Sequence, residues 1–112
     1  MAHHHKKALL HNYRKSGKHL MASLARALIL HESINVTITR AKALRAVIEP
    51  MITLAKKSNS RRLFILLNDG ELTKKMVNEI GRRFSDRAGG YTRIVRTHVR
   101  SDGTTMAQIA FV

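Results

Sequence analysis

The amino-acid sequence predicts an α+β fold: a two-layer domain in the order helix, strand, three helices, two strands, with helices packed on one face of a small mixed sheet and a basic N-terminal arm. Two patterns carry that expectation. Apolar residues recur every third or fourth position through residues 20–84, the spacing of amphipathic helices, whereas residues 34–39 and 91–112 alternate with period two. Length adds the third observation, because 112 residues suffice for one hydrophobic core and not for two ordinary domains. Residues 16–112 are therefore expected to form one globular domain and residues 1–15 the arm.

The arm shows neither periodicity, and a segment so basic extends until phosphates screen its charges. From Gly17 onward Leu20, Leu24 and Leu28 repeat at i, i+4 beside Met21, with Ala22, Ala25 and Ala27 raising helix propensity and Ser16 placed as N-cap. Ile34, Val36 and Ile38 then alternate with Asn35, Thr37 and Thr39, which predicts a short half-buried strand. Thr39 is expected to cap the second helix, whose stripe is Leu44, Val47, Ile48, Met51 and Ala55, and Pro50 is expected to kink it.

Ser58-Asn59-Ser60 reads as a linker, residues 61–67 as a brief helix burying Leu63, Leu66 and Leu67, and Asn68-Asp69-Gly70 as a break. Leu72, Met76, Ile80 and Phe84 repeat at i, i+4 in a fourth helix flanked by Val77. After the turn residues Asp86-Arg87-Ala88-Gly89-Gly90 come two strands, residues 91–100 and 105–112. Matching their faces requires a three-residue loop, Ser101-Asp102-Gly103, with Gly103 at positive φ and Val95 opposite Ile109. That register puts Arg96, His98 and Arg100 together on the outer face.

Charge narrows the partner. Lys and Arg number 21 against 7 Asp and Glu, and a formal net charge of +14 calls for a polyanion. No apolar run is long enough to span a bilayer, and the first residues lack the pattern of a secretory signal. Cysteine is absent, so disulfides and thiolate metal sites are excluded. His31-Glu32 begins like a zinc-protease helix, but Asn35 stands where its second histidine belongs. His3-His4-His5 has no carboxylate or cysteine nearby to complete a metal site. A phosphate-binding glycine loop and a catalytic triad spacing are both missing, so no enzyme, no cofactor and no small-molecule substrate is expected.

Candidate contacts to nucleic acid follow from the same residues. Before Glu32 the chain has no acidic residue but carries Lys6, Lys7, Arg14, Lys15, Lys18 and Arg26. Arg40, Lys42, Arg45 and Lys56 decorate the second helix, Arg61 and Arg62 begin the third, and Arg96 and Arg100 lie on a strand. In the late turn Gly89 and Gly90 let backbone approach a phosphate, Arg87 and Arg93 can pair with phosphates, and Tyr91 either stacks on a base or covers the edge of the core.

With these segments placed, the sequence resembles the bacterial and organellar large-subunit ribosomal protein seventeen family. The resemblance lies in His31-Glu32 followed by Ile34, in Arg40-Ala41-Lys42-Ala43-Leu44-Arg45, and in Glu49-Pro50-Met51-Ile52-Thr53-Leu54-Ala55-Lys56. It continues through Arg61-Arg62 and Arg87-Ala88-Gly89-Gly90-Tyr91-Thr92-Arg93-Ile94. Family members usually carry a His-Arg pair where this chain has Ser16-Gly17, and an arginine where it has Ala2, so arm contacts are not carried over residue by residue. The resemblance implies a structural role on large-subunit rRNA near the nascent-peptide tunnel exit, beside neighbouring large-subunit proteins, in a bacterial cytoplasm or an organelle. A free nucleoid or regulatory nucleic-acid-binding protein is the alternative that composition allows.

Overall fold

A computed structural model describes residues 18–112; the arm and the predicted Ser16 cap lie outside the described residues. The first helix, α1 (Lys18–His31), buries Met21, Ala25, Leu28 and Ile29. It ends at Glu32, which adopts the left-handed conformation at φ 64° while its N–H donates to the Leu28 carbonyl at 2.7 Å. Strand β1 (Ser33–Thr37) follows directly.

Thr37, not Thr39, caps α2 (Ile38–Lys56): its hydroxyl accepts from the Arg40 N–H at 3.3 Å. Ile38 thus belongs to the helix although it continues the β-branched alternation. The buried stripe of α2 comprises Ala41, Leu44, Ile48, Met51, Ile52 and Ala55, and the helix runs through Pro50 to Lys56. Asn59 caps α3 (Ser60–Leu67) by accepting from the Arg62 N–H. Within α3 Leu63 and Leu67 are buried, but Leu66 is exposed, because it lies one residue off the i, i+4 line that faces the core. Asn68 closes α3 in a left-handed conformation, and Asp69 at once caps α4 (Gly70–Lys75) through the Leu72 N–H.

The α4 segment continues into a π-helical turn (Met76–Ile80) and a last α-helical turn, α5 (Gly81–Arg83). Four residues overshoot one α-turn by about 40°. A strict i, i+4 repeat therefore drifts around a regular helix, and the wider turn takes up that drift so that Met76, Ile80 and Phe84 are all buried. Gly81 sits where this rod meets α2, and a Cβ there would fall 2.8 Å from the Ala55 carbonyl oxygen.

Strands β2 (Thr92–Val99) and β3 (Thr105–Phe111) complete a three-stranded sheet in the order β1-β3-β2. Both pairings are antiparallel, so the sheet is not mixed: β3 inserts between the other two and runs opposite to each. The three-residue loop is present. Arg100 N–H donates to the Thr104 carbonyl, the Gly103 N–H returns to the Arg100 carbonyl, and Gly103 has φ 87°. The predicted Val95–Ile109 pairing nevertheless does not form, because a bulge leaves Thr97 unopposed between Arg96↔Ala107 and His98↔Met106 and shifts the rest by one residue. Ile94 stands opposite Ile109 instead.

One face of the sheet belongs to the core. Ile34, Ile109 and Ile94 form a row across it and pack with α1, α2 and the helical rod in a single hydrophobic cluster. The opposite face carries three rows outside that cluster: Ser33–Ala110–Arg93, Asn35–Gln108–Val95 and Thr37–Met106–His98.

Candidate nucleic-acid interface

The turn leading into β2 is built on α2. Arg45, Glu49 and Lys56, spaced by four and seven residues, share one helical face and each reaches the segment 87–92. The Glu49 carboxylate accepts from the Tyr91 N–H at 3.2 and 3.3 Å and from the Thr92 hydroxyl at 3.4 Å. Arg45 Nε donates to the same hydroxyl at 3.3 Å. Lys56 Nζ donates to the Arg87 carbonyl and, at 2.9 Å, to the Tyr91 hydroxyl, while that hydroxyl itself donates to the Arg87 carbonyl. Arg87 Nε closes the turn onto the carbonyls of Gly89 and Gly90, and Gly90 takes φ 61°.

This frame changes the expected role of Tyr91. Its ring is 4% exposed, lies 5.2 Å from the Phe84 ring and carries Lys56 Nζ 5.1 Å above its centroid. No base can stack on it, so of the two readings the sequence allowed, Tyr91 covers the core edge. Lys56 is likewise half-buried and committed to internal acceptors. Both residues hold the turn in shape rather than offering themselves to a ligand.

What the frame presents is cationic. Arg45, Arg87 and Arg93 are exposed around the head of β2, beside the exposed backbone of Gly89 and Gly90 and the exposed Asp86. Internal bonds place the Arg45 and Arg87 charges, so a polyanion meets those two with little further loss of side-chain freedom. Arg40 and Lys42 are exposed in the first turns of α2.

The other predicted residues are not gathered here. Arg61 and Arg62 are exposed on α3, and half-buried Arg26 donates to the Leu67 carbonyl at 2.9 Å, tying α1 to α3. Arg96 lies farther along β2 and Arg100 just beyond its end, about 23 Å from Arg93 at strand rise. The bulge also breaks the expected stripe: Arg96 pairs with Ala107 on the core-side row, while His98 pairs with Met106 on the opposite face. Lys18 opens α1, and Lys6, Lys7, Arg14 and Lys15 lie outside the described residues.

Sequence reasoning passed over Glu49 as an organiser, although its spacing from Arg45 and Lys56 was available as a signal. It also passed over Glu32, whose carboxylate meets Arg83 Nη1 at 2.6 Å and Lys75 Nζ at 3.3 Å. The hydrogen bond from Arg83 holds the Glu32 carboxyl below its ordinary range, and the same pairing raises Arg83. Among the described residues no group of three His, Asp or Glu could hold a metal ion, and no helix is long and apolar enough to cross a membrane.

Comparison with known proteins adds to this geometry. The family profile described as ribosomal protein L17 matches residues 20–112. The chain belongs to the ribosomal protein L17 family. A protein of Sulfurimonas denitrificans named large ribosomal subunit protein bL17 is 45% identical, over 91% of this chain and 97% of its own length. The L17-family match begins within α1 and takes in every later element, so the frame around Tyr91 and the cationic head of β2 lie inside it.

Proposed function

We propose that this chain is a structural constituent of the large ribosomal subunit that binds and stabilises folded rRNA near the nascent-peptide tunnel exit, with no catalytic role of its own. Membership of the ribosomal protein L17 family carries the reading. The chemistry of the surface agrees with it: Arg45 and Arg87 are bonded into the frame around Tyr91, Arg93 is exposed beside them, and the chain as a whole has a net charge of +14.

In this role the domain neutralises phosphates of neighbouring rRNA segments that would otherwise repel one another. The exposed residues of α2, α3 and β2 and the basic residues before Glu32 each meet a different segment. Affinity comes mostly from phosphate contacts, and specificity from RNA shape. The tunnel-exit position and the neighbouring large-subunit proteins rest on the family resemblance.

Sedimentation of native lysate in low and high salt tests the proposal. Co-migration of the chain with the large subunit is expected in low salt, with release as salt rises. A pool that is free or bound to DNA at low salt overturns it in favour of a nucleoid or regulatory factor.

A further inference from the structure

Apart from Thr37, whose hydroxyl caps α2, and Arg93, which the cationic head of β2 shares, the sheet face turned away from the core takes no part in the contacts above. It is formed by the three rows across β1, β3 and β2, and strand spacing and rise make it about 10 Å by 14 Å. Its side chains are short or neutral and polar, apart from Val95, Met106, His98 and Arg93, and none is a carboxylate. Asn35 and Gln108 stand side by side in the middle row. Gln108 leans toward β1, its amide nitrogen 3.4 Å from the Ser33 hydroxyl, which leaves its carbonyl oxygen and a second N–H for a ligand. Arg93 is exposed on the β2 edge of the same face.

We infer that this face is a platform for the minor groove of an A-form RNA duplex, with Asn35 and Gln108 hydrogen-bonding ribose 2′-hydroxyls and Arg93 holding a flanking phosphate. The inference rests on the rRNA-binding reading and names a surface and a mode of recognition within it. Three features select this ligand. The minor groove of A-form RNA is wide and shallow and lined with 2′-hydroxyls that both donate and accept, which suits a flat surface of carboxamides and hydroxyls. Sheets that bind single strands stack successive bases on several aromatic side chains, and the only ring on this face is the His98 imidazole at the end of its last row. With a guanidinium at its edge and no acidic group, it is complementary to a polyanion, whereas Val95 and Met106 are too few to form the apolar centre of a protein interface.

The test measures binding of the full chain to three probes of one sequence: an RNA duplex, the matching DNA duplex and single-stranded RNA. The wild type is expected to bind the RNA duplex most tightly. The double variant Asn35→Ala, Gln108→Ala should lose about tenfold of its RNA-over-DNA preference, as expected for two hydrogen bonds. Its salt dependence and melting midpoint should stay at wild-type values, while Arg93→Ala lowers the salt slope. An unchanged RNA-over-DNA ratio in the double variant, no binding to the RNA duplex, or a wild type that binds either other probe as tightly, overturns the platform. Sedimentation of both proteins separates the two levels. If the double variant and wild type both co-migrate with the large subunit and the ratio is unchanged, the platform alone fails; if the wild type does not co-migrate, the functional reading fails.

Discussion

Arg83 reaches back 51 residues to place its Nη1 2.6 Å from Oε1 of Glu32, clamping the end of α1 to the last turn of the helical rod. Glu32 is itself in the left-handed region, so the ion pair holds a backbone conformation that carries a cost of about 1 kcal/mol or more for a residue with a Cβ.

This pairing makes stability depend on pH. The Glu32 carboxyl titrates below its ordinary value, so its contribution is fully present above the unfolded value of about 4.3 and is lost as pH falls through the lower folded value. Urea unfolding of the wild type and Glu32→Gln between pH 7 and 3 should show the variant less stable at pH 7 and the two curves converging in acid. The side chains are 38% and 39% exposed, so solvent screening limits the difference to about 1 kcal/mol.

Gly81→Ala should destabilise the domain without touching its cationic surface. The added methyl would lie 2.8 Å from the oxygen and 2.9 Å from the carbon of the Ala55 carbonyl, both backbone atoms that cannot swing aside. Separating the rod from α2 costs about 1–3 kcal/mol. Thermal melting should fall by roughly 4–8 °C for each kcal/mol lost.

Substitutions at Tyr91 separate support from contact. Tyr91→Phe removes the hydrogen bonds of the hydroxyl with Lys56 and the Arg87 carbonyl but keeps the ring against Phe84, and should cost about 1 kcal/mol. Its association with the large subunit should survive. Tyr91→Ala opens the core edge and should cost about 3–5 kcal/mol. Weakened subunit association by Tyr91→Phe at unchanged stability would mean that the hydroxyl itself meets RNA.

Removing a charge from the head of β2 has a different signature. Arg87→Ala and Arg93→Ala should each weaken binding to RNA regardless of sequence and reduce the slope of log K against log salt by about 0.7–0.9. Filter binding across a salt series measures both effects. The Arg87 change should also loosen the turn, because its Nε bridges the carbonyls of Gly89 and Gly90.

Local patterns were legible in the sequence, and long-range ones were not. The stripes of α1 and α2 recur at helical spacing, and the three-residue loop followed from face matching with Gly103 at positive φ. The exchange of Thr37 for Thr39 as cap has a local cause: Ile38 and Thr39 extend a β-branched run, and only the cap hydrogen bond marks where the strand stops. The bulge at Thr97 leaves no trace in the alternation, so the register upstream of it could not be read. In the candidate interface the cations were visible from composition, but which of them work inward depended on tertiary contacts. Lys56 and Tyr91 face the interior because Glu49 and Phe84 draw the turn onto α2.

The bulge has a meaning for the protein before it meets any polyanion. Strand β2 is an edge strand of 8 residues, with Val95 and Val99 exposed along it, and an unpaired edge of that kind invites a second chain to add on. An unopposed Thr97 twists this edge out of flatness, and Arg93, Arg96 and Arg100 set like charges against a neighbouring copy. The kink that spoils the register also guards a freshly synthesised, strongly basic chain from polymerising through its own sheet.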